Sequence, residues 1–272
     1  MANTIDSALI VDVLKNSAAT VLQNRLAPLA AFSRDFGADS LRPRATVQVP
    51  LASGASSVQV NPSNFETGDT TLANIAVSVD LLSKSFHVSN DQSLSGIKLA
   101  MLADVNLAAL ADKIMDLALA PLAGASTSYT GAAADFTADD LQVGWGEIAK
   151  ADTKHVILRG DYFAKFLPTN RESFVPGVGA YGFDGFHLNT RWVGTTAGVF
   201  CSPKAVALAS GLPSAQAGNL ISSETIQVAG IGIAVQLNLW QSTATRSLWA
   251  SYDVMFGAAA GDLASAKLIV AS

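Results

Sequence analysis

Between Ser7 and Leu26 apolar residues recur at helical spacing, with Leu9, Val13, Leu14, Val21, Leu22 and Leu26 on one side. Pro28 ends that pattern, because it has no amide proton and its ring crowds the preceding turn. The period then falls to two. From Ala45 to Phe65 no residue is charged, and Val47, Val49, Leu51, Val58 and Val60 alternate into a turn-rich segment, Asn61-Pro-Ser-Asn-Phe-Glu-Thr-Gly-Asp69. A second run returns with Ile75, Val77, Val79 and Leu81 on one face and Asn74, Ser78 and Asp80 on the other. The pair predicts a long hairpin. A two-stranded hairpin is at best marginally stable in water, so an arm this long and this poor in charge is expected to lie on another surface, that of a neighbouring subunit. The alternation changes parity at Leu81-Leu82, placing Phe86 and Val88 opposite Val77 and Val79, which predicts a bulge or twist there.

Asn90, Asp91 and Ser93 are alternative caps for the longest helical segment, which runs through Leu94, Ile97, Met101, Val105, Ala108, Ile114 and Leu117 until Pro121 and Gly124 stop it. At 1.5 Å per residue this is a rod of roughly 40 Å. Asp112 and Asp116, four apart, mark a solvated face; an ordinary long core helix fits the same residues. The Gly/Ala/Ser/Thr tract from Ala123 to Ala134 reads as a flexible connection. Thr137-Ala-Asp-Asp140 is a capping-box pattern opening a helix through Ile148. A strand over His155 to Leu158, a turn at Gly160-Asp161 and a helical segment with Tyr162, Phe163, Phe166 and Leu167 form an α/β subdomain. Pro168 to Thr196 has no assignable period, and Lys204 to Ala209 reads as a short helix. Ile231, Ile233, Val235, Leu237 and Leu239, then Leu248, Tyr252, Val254 and Phe256, predict an antiparallel hairpin, followed by a last strand near Leu268 to Val270.

Composition sharpens the picture. Of 272 residues, half are hydrophobic and 14% are charged, against roughly 25% charged in an average soluble domain. Such a chain has little charge for covering a free surface, which favours an assembly, although an Ala-rich monomer with a Ser/Thr/Asn/Gln surface meets the same numbers. The net charge of -5 gives no broad basic footprint for phosphate neutralisation. The single cysteine, Cys201, rules out an intrachain disulfide and fits an intracellular origin. The N-terminus lacks the basic region of a signal peptide and carries Asp6 and Asp12. The uncharged run from Thr225 to Thr245 is long enough for a membrane span, but Gln227, Gln236, Asn238 and Gln241 punctuate it at strand spacing.

Candidate chemistry is thin. Gly177-Val-Gly-Ala-Tyr-Gly182 has a dinucleotide-binding spacing, yet Pro176 precedes it and no strand-then-helix context surrounds it. Ser95-Gly-Ile-Lys98 matches a penicillin-recognising nucleophile motif without that family's companion motifs. His87, His155 and His187 lie far apart in sequence, none with a second ligand at metal spacing. Asp135, Asp139 and Asp140 are explained as helix-N-terminal carboxylates stabilised by the dipole. No catalytic, cofactor-binding or metal-ligating residue is therefore expected.

The order of parts carries more. An amphipathic arm, a long hairpin, a rod-like helix, a central α/β subdomain and return strands, with Thr46-Val-Gln-Val49 opening the hairpin, Leu81-Leu82-Ser-Lys84-Ser-Phe-His-Val88 closing it and Tyr252-Asp-Val-Met-Phe-Gly257 before the final strand, resemble the major capsid proteins of tailed double-stranded DNA phages. The resemblance implies an α+β chain with the Hong Kong 97 fold. Its parts would be an N-arm at 1–41, an E-loop hairpin at 42–89, the spine helix and connection of the P-domain at 90–135, an A-domain at 136–225 and P-domain return strands at 226–272. It implies a virion protein that assembles in the host cytoplasm into pentamers and hexamers of an icosahedral shell. That shell would enclose double-stranded DNA without sequence-specific binding and without a membrane. Implied partners are the chain itself, a separate scaffolding protein, a portal and, in some shells, a decoration protein. Neighbours would meet at the hairpin and its base, through Arg42, Arg44, Val58, Val60, Phe65, Glu66, Asp69 and Lys84. Some relatives begin with a long scaffolding segment; here the arm begins almost at Met1. Some weld subunits through a hairpin lysine; here none lies between Lys15 and Lys84. An encapsulin-like compartment is the alternative, and an enzyme with a hidden site the third class.

Overall fold

A computed structural model describes residues 7–52, 72–88, 96–148, 153–167, 180–190, 192, 195–214, 220–242 and 247–272. Helix α1 (Ser7–Arg25) buries Ile10, Leu14, Ala18 and Leu22, a stripe four residues apart, while Leu9 faces outward. Pro28 then sits in a 3-10 turn, Ala27–Ala31, as its missing amide requires. Helix α2 (Gly96–Leu119) is the rod; its 24 residues span about 36 Å. It lies along α1, where Arg25 Nη1 donates to Asp112 Oδ1 at 3.1 Å. Leu99, Ala103, Leu107, Ile114 and Met115 of α2 enter the main core.

A seven-stranded sheet supports these helices. Its main path is β1 (Ser33–Leu41), β8 (Val206–Pro213), β11 (Ser247–Ala260), β10 (Ala234–Ser242) and β9 (Leu220–Gln227), with β3 (Leu72–Val88) paired to β11 and β2 (Ala45–Ala52) paired to β3. The long strand β11 changes partner along one side: Leu248 to Phe256 pair with β3, and Met255 to Ala260 pair with β8. Gly257 marks the exchange. A Cβ there would collide with the Ser78 carbonyl, so only glycine lets β3 cross over the sheet at that point.

The structure corrects two expectations about the hairpin. Its described base is not without a surface of its own: Val49, Val77 and Val79 are buried against Ala207, Ala209 and Met255 of the same chain. Of the bulge or twist expected at the parity change, the bulge is absent. The register of β3 with β11 is unbroken from Val88↔Leu248 to Asp80↔Phe256, and that with β2 from Val79↔Ala45 to Leu72↔Ala52. The parity changes because opposite faces of one strand are covered at its two ends. Phe86 and Val88 face the helical core, whereas Val77 and Val79 face β8 and β11.

A second sheet has the order β4 (Ser126–Thr130), β12 (Ala266–Val270), β7 (Thr196–Cys201), β5 (His155–Arg159) and β6 (Gly185–Asn189). One face sends Ile157, Val199 and Cys201 into the main core. The other meets helix α3 (Ala138–Glu147) and the one-turn helix α4 (Gly160–Phe163) across Phe136, Leu141, Tyr162 and Phe200. The capping box forms as expected: the Asp140 carboxylate accepts from the Thr137 amide and hydroxyl, each at 2.8 Å.

Two further expectations fail here. The tract at 123–134 holds β4, paired in parallel with β12. Residues 204–209 form the end of a 3-10 turn, Pro203–Ala205, and the start of β8. Val206 and Leu208 face the helices while Ala207 and Ala209 face the hairpin, so both strand faces are apolar and the run loses its period. The sheets also interleave across the expected divisions, since 136–225 supplies β8 and most of β9 to the larger sheet and 226–272 supplies β12 to the smaller.

Candidate assembly surfaces

The turn joining β1 to β2 is built by Arg42-Pro43-Arg44-Ala45. The Ala45 amide donates to the Arg42 carbonyl at 2.9 Å, and the Arg44 amide donates to the Val79 carbonyl of β3 at 2.8 Å. Arg42 and Arg44 are both exposed, and Arg44 has a left-handed backbone with φ 64°. The structure thus brings these two expected contact residues together. Lys84 is elsewhere, half-buried on β3 opposite Tyr252, about 17 Å along the strand from Val79. Val58, Val60, Phe65, Glu66 and Asp69 lie outside the described residues, as do the candidate caps Asn90, Asp91 and Ser93 and residue Ser95 of the nucleophile-like motif.

Part of the apolar series that marked α2 in the sequence is exposed. Ile97, Met101 and Val105, spaced i, i+4, i+8, are 77%, 64% and 71% exposed. Farther along the helix the outward positions become Ala109, Lys113 and Asp116, whereas Asp112, expected on a solvated face with Asp116, turns to Arg25 of α1. The signal was present in the chain: the first half of α2 is apolar on two sides, Leu99-Ala103-Leu107 as well as Ile97-Met101-Val105, and one core can cover only one of them. Smaller exposed apolar sites are Val143 and Trp145 on α3 and Leu220 and Ile221 on β9, an edge strand.

The polar clusters hold the fold. Asp253, 3% exposed, accepts from Ser83 Oγ, from Ser251 Oγ at 2.8 Å and from Asn238 Nδ2 at 2.7 Å, while Ser223 Oγ donates to Asn238 Oδ1 at 2.8 Å. This row crosses β3, β11, β10 and β9 and holds their register, with the buried carboxylate stabilised by three donors. Lys154, also buried, donates to the Trp145 carbonyl at 2.9 Å and lies over the Trp145 ring, closing the C-terminal end of α3.

Two of the three histidines meet. His187 Nε2 and His155 Nδ1 are 3.4 Å apart on adjacent parallel strands, and Gly185 between them leaves the space that a Cβ would fill. Burial lowers His155, with Arg34 acting the same way and Asp184 opposing; burial and then His155 lower His187 to about 4. His87 is apart from them, against Trp249. Among the described residues no group of three or more His, Cys, Asp or Glu could hold a metal ion. Burial pushes the Cys201 thiol well above its ordinary range, which leaves it a small core hydrophobe. Two clefts of about 370 and 440 Å³ flank Asn189 between α2 and β6. Their polar linings, chiefly Asp116 in one and Arg25, Asp112 and His187 in the other, do not form a nucleophile–base pair. Among the described residues no helix is long and apolar enough to cross a membrane.

No family model and no curated protein matches the sequence. Solved structures do match over almost the whole chain. The virus-like particle from Pyrococcus furiosus is similar at TM-score 0.53 and 11% identity, covering 93% of this chain and 98% of that one. A structure from Gordonia phage Cozz is similar at TM-score 0.52 and 10% identity, covering 92% and 86%. The capsid of the empty GTA particle is similar at TM-score 0.50 and 11% identity, covering 92% and 90%. At such identities the likeness is one of architecture: the chain has the α+β Hong Kong 97 fold found in phage capsid proteins.

Proposed function

We propose that the chain is a structural shell protein, a major capsid protein whose copies close into an icosahedral particle of pentamers and hexamers around the double-stranded DNA of a tailed phage. The observation that carries the reading is the whole-chain likeness to particle-forming proteins at TM-scores of 0.50 to 0.53. Charge on 14% of residues and the exposed Ile97-Met101-Val105 stripe support it, since both suit a surface that neighbours cover. Head-to-tail contacts of this kind close into rings when the rotation between subunits permits. A scaffolding protein, a portal and a decoration protein belong to the same reading, as do assembly in the host cytoplasm and a division into N-arm, E-loop, P-domain and A-domain.

Light scattering and negative-stain microscopy of concentrated protein, with the scaffold co-expressed where required, test the proposal. Closed particles are expected; a chain that remains monomeric under all these conditions overturns it. The match to a virus-like particle favours, as a second reading, a compartment around cargo other than a genome. Nucleic acid protected from nuclease inside native particles separates the two.

A further inference from the structure

We propose that the Arg42-Pro43-Arg44 turn is a rigid cationic knuckle that docks on a carboxylate of a second copy of this chain. The inference deepens the shell reading and rests on it. Pro43 at the second position, the Ala45-to-Arg42 bond and the positive φ of Arg44 at the third make a type II turn, whose third position glycine or asparagine occupies most comfortably. An arginine there is crowded by its own Cβ. Nothing inside the described fold offsets that strain. The two backbone hydrogen bonds of the turn need no side chain, and neither guanidinium has a carboxylate partner among the described residues. The contrast is Tyr181, also non-glycine with φ 54°, whose ring meets Phe166 edge-on at 5.6 Å and so has a reason within the chain. Strain with no side-chain partner among the described residues points to a use outside the subunit.

The chemistry of the partner follows from charge. The chain carries 22 acidic against 17 basic residues. Asp135, Asp139 and Glu147 are exposed without an ion pair among the described residues. Each copy therefore offers unpaired carboxylates to a neighbour's knuckle. Guanidinium suits the task, because its planar fork accepts a carboxylate through two parallel hydrogen bonds. The bond from Arg44 to Val79 ties the turn to β3, so little backbone ordering accompanies docking. Two cations on one turn fall short of a nucleic-acid footprint, which neutralises a run of phosphates.

Two variants test this. Arg44→Gly relieves the turn: the unassembled protein is expected to melt at the same or a higher temperature, while the concentration needed for shells rises about tenfold or more, the scale of one charged interface contact. Arg44→Lys keeps the charge and adds an amine that carbodiimide can join to a touching carboxylate. In mixtures of isotopically light and heavy copies, mass spectrometry should find that amine bonded to an Asp or Glu of the other copy. Arg44→Gly shells forming at the wild-type concentration, or cross-links confined to single chains, overturn the knuckle alone. Shells that form normally but retain less nucleic acid also overturn it, by assigning the turn to phosphate. A wild-type chain that never assembles overturns the shell reading itself, and the knuckle with it.

Discussion

At the scale of single residues, Gly257 and the His155–His187 pair answer to groups far away in sequence. Gly257 lies where β3 crosses over β11, and any side chain would strike the Ser78 carbonyl, which belongs to backbone and cannot swing aside. Gly257→Val should therefore lower stability by about 3 kcal/mol, the upper range for overpacking a rigid site, in urea denaturation of the unassembled chain. A cost under about 0.5 kcal/mol would show that the crossing has room to relax. The His155–His187 pair gives a pH dependence whose sign is fixed by burial. Both folded-state values are depressed, so the unfolded chain binds more protons than the folded one below the ordinary value of 6.5. Stability is full above that value and is lost as pH falls from about 6.5 toward about 4, the folded value of His187. The double variant His155→Gln, His187→Gln should flatten that segment of a stability-versus-pH curve, and a slope unchanged by it would move the cause elsewhere.

At the scale of elements, the hairpin divides into two parts with different supports. Its base, β2 with the start of β3, has an intrachain floor in Ala207, Ala209 and Met255. Residues 53–71 carry Val58, Val60, Phe65, Glu66 and Asp69, where the resemblance implies that neighbours meet. Replacing 53–71 by an Asn-Gly turn should keep cooperative melting and the helical circular dichroism of the body while abolishing shells, because Ala52 and Leu72 already face each other in the ladder. Shells of normal size from that variant would show that assembly does not use the segment. The sequence read β2 and β3 correctly and the support of the hairpin's base incorrectly. Periodicity reports which positions are covered, and the cover here comes from β8 and β11, more than a hundred residues away along the chain.

At the scale of the whole molecule, the proposed shell is expected to be held by buried surface area. A hairpin weld needs a lysine, and none lies between Lys15 and Lys84. Lys84 itself is half-buried within the β3–β11 ladder. Cys201 is buried, and one thiol per subunit could link at most two copies. Mature particles boiled in detergent should run as a single band near 28.1 kDa. A ladder of pentamer- and hexamer-sized bands would establish a covalent network and make Lys84→Arg the first variant to examine. Standard specific interfaces bury about 1,200 to 2,000 Å², and several such contacts per subunit suffice without bonds.

The sequence by itself determined the elements whose signals are local. The two-turn spacing of Leu14 and Leu22, the Thr137–Asp140 capping box, the alternation of β10 and β11 and the order of arm, hairpin, rod and return strands all follow from short-range sterics and hydrogen bonding, and that order was enough to suggest the fold. Only tertiary structure decided which face of each element is covered. It made 206–209 the start of a strand buried on both sides and gave β4, within 123–134, a partner in β12. It put an intrachain floor under the hairpin base, joined His155 to His187 and left Ile97, Met101 and Val105 bare. The reason is common to all of these: a local pattern records that a position is apolar, but whether sheet, helix or a second subunit meets it depends on residues that only folding brings near.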